Sequence, residues 1–241
     1  MKLLLLGLVI TLSAGAVAAQ SVVITPKKTT YTRPRPITEF KKNFAIIYPR
    51  VKAPTPALSR RIENAISYQN VLGVNFREEM REVQWLEEAD FEVNYNSRGL
   101  LCITLFVSGS SAYASGVSKT VVVDLKTGSR ISAAAAFVNV QSLAAVVKRK
   151  QISEFESAII ELRKNPDLDG EDPKQLFTNT NFNIEDLDHF LIDQTGVTFI
   201  FDYGFPHVIE ALEPSGRFKF CWSEIAQFVK PGGPLAKFLV R

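Results

Sequence analysis

The sequence predicts an α+β protein: an antiparallel β-sheet, or more than one, with helices packed on one face. Three observations carry this. Strand-like alternation comes in groups linked by turn signals, and helical periodicity comes in separate blocks between those groups. The composition is that of an ordinary globular protein, 46% apolar and 22% charged over 241 residues, with room for one large domain or two small ones. Helices that alternate with groups of hairpin-linked strands favour α+β over a parallel α/β sheet.

The elements follow in order. Residues 1–19 read as a cleavable leader. Lys2 precedes an uncharged run from Leu3 to Ala19 that ends in small residues, a positive n-region, an apolar h-region and an A-x-A-like cleavage site after Ala19. The run is short for a membrane span, which needs ~20 apolar residues. The mature chain is therefore expected outside the cytoplasm, secreted or periplasmic, without a transmembrane segment. Residues 20–37 alternate Pro26, Pro34 and Pro36 with Lys27, Lys28, Arg33 and Arg35. That composition predicts a flexible linker, with docking on something anionic as a second reading. The remainder divides into subdomains 38–115 and 116–241, or forms one continuous domain.

Phe44 to Tyr48 is a strand stopped by Pro49. A helix starts near Pro56, with Leu58, Ile62, Ala65 and Ile66 at helical spacing and Arg60, Arg61, Glu63 and Asn64 on its other faces. After Gly73 a second helical stretch runs from about Asn75 to Glu88, and its acids form a solvated face. Phe91 to Tyr95 and Leu100 to Val107 form a hairpin about Asn96-Ser97-Arg98-Gly99. Ala112 to Leu125 is a long strand turned by Lys126-Thr127-Gly128. Asn139 caps a helix reaching about Lys164. A short helix near Asn183, strands at Phe190–Ile192 and Val197–Phe201, and a last strand at Phe218–Trp222 complete the chain.

Chemistry is mostly absent from the motifs. The sequence contains no G-x-S-x-G, H-E-x-x-H, C-x-x-C or phosphate-binding loop, so no cofactor and no catalytic residues are assigned. Lys126-Thr127-Gly128 lacks the S-x-x-K partner of the β-lactamase set and is read as a turn. Lys plus Arg total 28 against 25 acids, a net charge of +3, too close to neutral to suggest a nucleic-acid binder on bulk charge alone, and none is expected as partner. The two histidines, His189 and His207, lie near carboxylates in sequence, but a nucleophilic site also needs an oriented hydroxyl or thiol. Asp167, Asp169, Glu171 and Asp172 surround Gly170 as a candidate calcium loop. The default reading of that loop is solvated acids. Cys102 and Cys221 each lie off their strand's main apolar stripe. In an oxidising compartment they are candidates for a bridge worth roughly 4–5 kcal/mol, or two separate thiols. Asp202, Glu210 and Glu213, near Tyr203 and Phe205, are the acids available to a carboxylate-dependent glycan hydrolase.

The order of several pieces resembles a known arrangement. These are Tyr48-Pro49 ending a strand, Ile62-Glu63-Asn64 on a helix, Val93-Asn94-Tyr95 returning through Leu101-Cys102-Ile103, and Val121-Val122-Val123-Asp124-Leu125 with Lys126-Thr127-Gly128. The long helix, Phe190 to Phe201 and Phe218 to Ile225 follow. This is similar to the paired extracytoplasmic domains of unknown function in the lysozyme-binding ectodomain of sigma-V-type anti-sigma factors, and to the non-catalytic N-terminal region of peptidoglycan deacetylases. The resemblance spans about residues 38 to 240. It implies a non-catalytic binding module at the bacterial cell envelope, with lysozyme or peptidoglycan as partner. Because lysozyme is basic, Glu78, Glu79 and Glu82 become the candidate binding surface. The alternatives are the glycan hydrolase above and a structural subunit whose apolar tail, Leu235, Phe238 and Leu239, meets a partner chain.

Overall fold

The computed structural model describes residues 21–38, 40–110, 114–168 and 172–239; the leader lies outside them. Six strands form one sheet in the order β1-β2-β3-β4-β5-β6: β1 (Val23–Thr32), β2 (Asn43–Lys52), β3 (Leu86–Ser97), β4 (Leu100–Ser110), β5 (Ala114–Asp124) and β6 (Ser129–Arg130). Between β2 and β3 come α1 (Pro56–Ala65), α2 (Tyr68–Leu72) and α3 (Phe76–Arg81). After β6 come α4 (Ala133–Ala136) and the long α5 (Val140–Leu162). A second sheet, β7 (Phe190–Ile192), β8 (Gly196–Ile200) and β9 (Arg217–Cys221), precedes α6 (Trp222–Ile225). The α+β class is as the sequence predicts.

One strand pair departs from the antiparallel expectation. β2 and β3 pair in parallel, Ala45 with Glu88 and Ile46 with Ala89. Three helices lie in the connection, and a parallel pair requires such a crossover. The β3–β4 hairpin turns at Arg98 and Gly99, whose φ values are 50° and 72°. Both are left-handed, as a two-residue turn between twisted strands demands.

The span read as a linker is largely a strand. β1 pairs antiparallel with β2 along its whole length, from Val23↔Lys52 to Thr32↔Asn43. Val22 is buried, and its backbone exchanges hydrogen bonds with the Asn96 amide at 3.1 and 2.7 Å. Pro26, Lys27 and Lys28, which resemble linker chemistry, lie on this edge strand and are what a sheet edge uses to discourage further pairing.

Each face of the large sheet has its own core. Leu101, Ile103, Leu105 and Val107 pack with Ile62, Ile66 and Tyr68 from the α1–α2 side. Leu100, Cys102 and Val122 pack on the opposite face with β7–β9, Leu143 and Val147. β4 is thus buried on both sides, which explains its nearly unbroken apolar run. The 115/116 division falls inside β5, where Ser115 and Gly116 pair with consecutive residues of β4.

The second helical stretch is shorter than its periodicity suggests. α3 stops at Arg81, and β3 begins at Leu86. Gln84 lies between them with φ 53°. It is buried, accepts from the Ile37 amide at 2.9 Å and donates to Arg35 O at 2.8 Å. The left-handed residue and its tertiary bonds end the helix where local propensity would continue it. The apolar tail of the structural-subunit alternative is mostly docked: Leu235 is buried and Phe238 stacks on Trp222 with centroids 4.1 Å apart, while Leu239 is exposed.

Candidate functional site

A cleft of about 470 Å³ opens between the end of β2 and helices α1–α3. β2 supplies Tyr48 and Arg50, and the outer face of α1 supplies Arg60, Glu63 and Asn64. The corner into α2 brings Ser67, Gln69 and Asn70, and α3 contributes Phe76. Helix starts fix these positions. Thr55 caps α1 by accepting from Leu58 N–H at 3.2 Å with Pro56 in the first turn, and Ser67 caps α2 by accepting from Asn70 N–H at 3.2 Å.

The floor is aromatic. Tyr48, Tyr68 and Phe76 meet edge to face in all three pairs, with centroids 6.1 Å apart. Tyr68 is buried, and its hydroxyl donates to Ile47 O at 2.7 Å; Tyr48 and Tyr31 hydroxyls lie 2.9 Å apart. Burial raises both the Tyr48 and Tyr68 phenols, so both stay neutral and serve as hydrogen-bonding groups, not as bases.

The rim is polar. Glu63 Oε1 forms an ion pair with Arg50 Nε at 3.2 Å and accepts from Val51 N–H at 2.9 Å. Asn70 Nδ2 donates to the Asn64 carbonyl at 2.9 Å and its side-chain oxygen at 3.1 Å. Arg130 from β6 donates to Asn70 O at 3.1 Å. The lining therefore offers amides, guanidinium and aromatic rings, and its one carboxylate among the described residues is already engaged. The sequence placed Arg60, Glu63 and Asn64 on the outer face of α1 without reading a site there. The signal missed was Tyr48 and Phe76, distant in sequence and read only as strand end and helix core.

The predicted site residues are scattered. Glu79 does not belong to an acidic surface: it is 7% exposed, accepts from Leu86 N–H at 2.8 Å and lies 3.8 Å from Arg33. Glu78 and Glu82 are exposed, so the expected patch is broken in its middle. Cys102 and Cys221 are free thiols, not a bridge. Cys102 lies between the sheets and accepts from Ile192 N–H at 3.5 Å, whereas Cys221 is exposed at the end of β9. In the acidic loop, Asp169 and Glu171 lie outside the described residues, as does the side chain of Asp167. Asp172 accepts from Lys174 N–H at 3.2 Å, starting a 3-10 turn.

The acids considered for glycan hydrolysis hold a turn. Glu213 Oε1 accepts the Tyr203 and Gly204 amides at 2.8 and 3.1 Å, and Asp202 Oδ1 accepts Gly204 N–H at 2.7 Å. Burial, then the Asp202 charge, raises the Glu213 carboxyl. Tyr203 and Phe205 are core residues, so they do not line a sugar cleft beside these acids. Glu210 is exposed in the following 3-10 turn. His189 borders a second cleft of about 370 Å³ with Lys119 and Asp188. Burial and then Lys119 lower its pKa, and Asp188 is occupied by the Ala133 amide at 2.6 Å. The His207 side chain is not among those described.

Comparison with known proteins yields structural relatives only. No family model matches the chain, and no curated protein does. A crystal structure of a DUF3298 family protein from Pseudomonas aeruginosa PAO1 is similar, with 14% identity, a TM-score of 0.57, and coverage of 88% of this chain and 96% of that one. A DUF3298 family member from Bacteroides fragilis NCTC 9343 is also similar, with 10% identity, a TM-score of 0.54, and coverage of 88% and 94%. At these identities the likeness is one of fold. It supports the domain-of-unknown-function part of the resemblance; neither relative is described as an anti-sigma factor or a deacetylase.

Proposed function

We propose that this protein is an exported, non-catalytic binding module of the bacterial cell envelope, and that its ligand is a wall glycan seated in the cleft between β2 and α1–α3. The observation that carries the reading is the composition of that cleft: Tyr48 and Phe76 beside the amides of Asn64, Gln69 and Asn70. Sugar rings present C–H faces to aromatic groups and hydroxyls to amide donors and acceptors. The volume lies within the ~300–1,000 Å³ usual for ligand sites. Glycoside cleavage needs two carboxyls about 5–10 Å apart, and among the described residues the lining contributes only Glu63, neutralised by Arg50. The broken acidic patch weighs against a basic protein such as lysozyme and in favour of a polymer. The leader-like N-terminus, Lys2 followed by an uncharged run from Leu3 to Ala19, is what supports the compartment.

The test is co-sedimentation with purified sacculi and calorimetric titration with chitotetraose. Asn64→Ala and Gln69→Ala, both at exposed positions, are expected to weaken binding several-fold at unchanged melting temperature. Release of reducing ends would replace the reading with hydrolysis. Saturable, salt-resistant binding to lysozyme without binding to sacculi would replace the ligand. A secreted product beginning at Gln20 by mass is the expected outcome for export.

A further inference from the structure

We propose that the cleft selects glycans carrying a carboxylate and that Arg60 is the group that recognises it; this rests on the reading of the cleft as a glycan site. The argument is a charge inventory. Two guanidiniums, Arg50 and Arg60, and one carboxylate, Glu63, line the cleft. Glu63 is committed to Arg50 and to the Val51 amide through the same oxygen. Arg60 is left over. It is exposed, and among the described residues it has neither a hydrogen-bond acceptor nor an ion-pair partner.

Its position is set by the helix. Arg60 precedes Glu63 and Asn64 by three and four residues, which places all three on one face of α1. Glu63 would be the natural partner for Arg60 at that spacing, but β2 runs past with Arg50 and takes it. Arg61, one residue on, faces elsewhere: its Cβ packs towards Gly128 in the β5–β6 turn. The cleft therefore carries one uncompensated guanidinium at its rim. A guanidinium presents a planar fork of donors that matches a carboxylate in two parallel bonds. A neutral oligosaccharide would leave that fork in water. A sugar bearing a lactyl or uronic carboxylate would fill it while its ring lies against Tyr48 and Phe76.

Calorimetry on the wild-type protein decides it, using the alternating N-acetylglucosamine–N-acetylmuramic acid tetrasaccharide and the same compound with its carboxylates amidated. The acid is expected to bind about tenfold tighter than the amide, as one charge-assisted contact provides, with the gap narrowing as salt rises. Arg60→Gln should bring the acid down to the affinity of the amide and so close the gap between the two. Arg60→Lys should restore part of the gap. Equal binding of acid and amide by the wild type overturns the proposal while leaving the glycan reading intact, as does equal weakening of both by Arg60→Gln. Binding to a glycerol-phosphate oligomer but to neither saccharide shows oxyanion capture without a glycan and overturns it too. No binding of any of these by the wild type removes the cleft reading itself.

Discussion

Arg33 sits where the sequence predicts a flexible basic linker, and its replacement tests the fold most directly. The side chain is 1% exposed. Its Nε donates to Glu79 O at 3.0 Å, Nη2 to Leu86 O at 2.6 Å, and Nη1 to Lys41 O. Nη2 also faces the Glu79 carboxylate at 3.8 Å, and the guanidinium lies 4.7 Å from the Phe44 ring centroid. Arg33→Ala would orphan three carbonyls and leave Glu79 buried without its cation. Removing one partner of a buried pair costs about 3–5 kcal/mol. At about 2–4 °C per kcal/mol for a domain of this size, the melting temperature should fall by about 10 °C. Arg35→Ala, two residues along and exposed, should stay within about 0.5 kcal/mol of wild type. Arg33→Met with Glu79→Met should be less destabilised than Arg33→Ala, since no charge is left buried. Thermal unfolding followed by circular dichroism reads all three. An Arg33→Ala protein that melts like Arg35→Ala would refute the buried clamp and return residues 20–37 to a linker.

The remaining predictions concern thiols and carboxyls. Burial pushes the Cys102 thiol up to about 12, so Ellman's reagent should modify Cys221 alone in the native protein and Cys102 only after unfolding; a 2 Da mass loss on mild oxidation, from about one bridge forming, would contradict this. Burial alone would raise the Asp193 carboxyl, but Lys219 Nζ at 2.7 Å, the Thr195 hydroxyl and the Thr195 and Gly196 amides outweigh it and hold it at about 2. Its contribution is therefore present above the ordinary carboxylate range and lost as pH falls towards 2. Asp193→Asn should cost less than about 1 kcal/mol at pH 7, because the pair is partly exposed, with a difference that vanishes in melts at the acid end of that window. Glu213 is shifted the other way, so its folded form favours the proton and its ionisation opposes stability as pH rises through the raised value. Glu213→Gln keeps an oxygen for the two amides and should melt at or above wild type at neutral pH; a marked loss there would mean that the charge itself is needed. Gly196→Ala would drive a Cβ to 1.9 Å from Phe220 O and should yield little soluble protein in an expression trial.

Elements whose pattern is local were legible. The β3–β4 hairpin, the strands at Phe190–Ile192 and Gly196–Ile200, and the long helix from Val140 to Leu162 lie close to their expected positions. The helix cap shows the limit of such reading. Asn139 immediately precedes α5, as expected, but it stands at φ 51° and makes no side-chain cap, so its tolerance of the left-handed region is the feature in use. β1 was illegible because an edge strand needs only one half-buried face and tolerates Pro26 and two lysines. Its β-forming residues, Val23, Ile24, Thr29, Thr30 and Tyr31, were outweighed by that punctuation. Glu79 read as solvated, and Gln84 drew no notice, because their partners, Arg33, Arg35 and Ile37, lie more than forty positions away in the chain. For the same reason the cleft was invisible, since it gathers a strand end, a helix flank and a helix start that no spacing rule connects.

The two-sided burial of β4 bears on where function can reside. Leu101, Ile103 and Leu105 serve one core, and Leu100 and Cys102 the other. A sheet clamped between two cores is stiff, and stiffness favours a binding cleft built on its margin. The cleft uses β2, the strand inside the β1 edge, and the helices that cross from β2 to β3. Every residue that lines it therefore belongs to the first half of the chain, while the second half covers the sheet's far face with β7–β9 and α5. That division assigns recognition to the crossover helices and support to the C-terminal elements. It also explains why the carboxylates of the second half, Asp202 and Glu213, are spent on holding a turn: they brace the residues around Tyr203, whose hydroxyl donates to Glu154 of α5 at 3.0 Å.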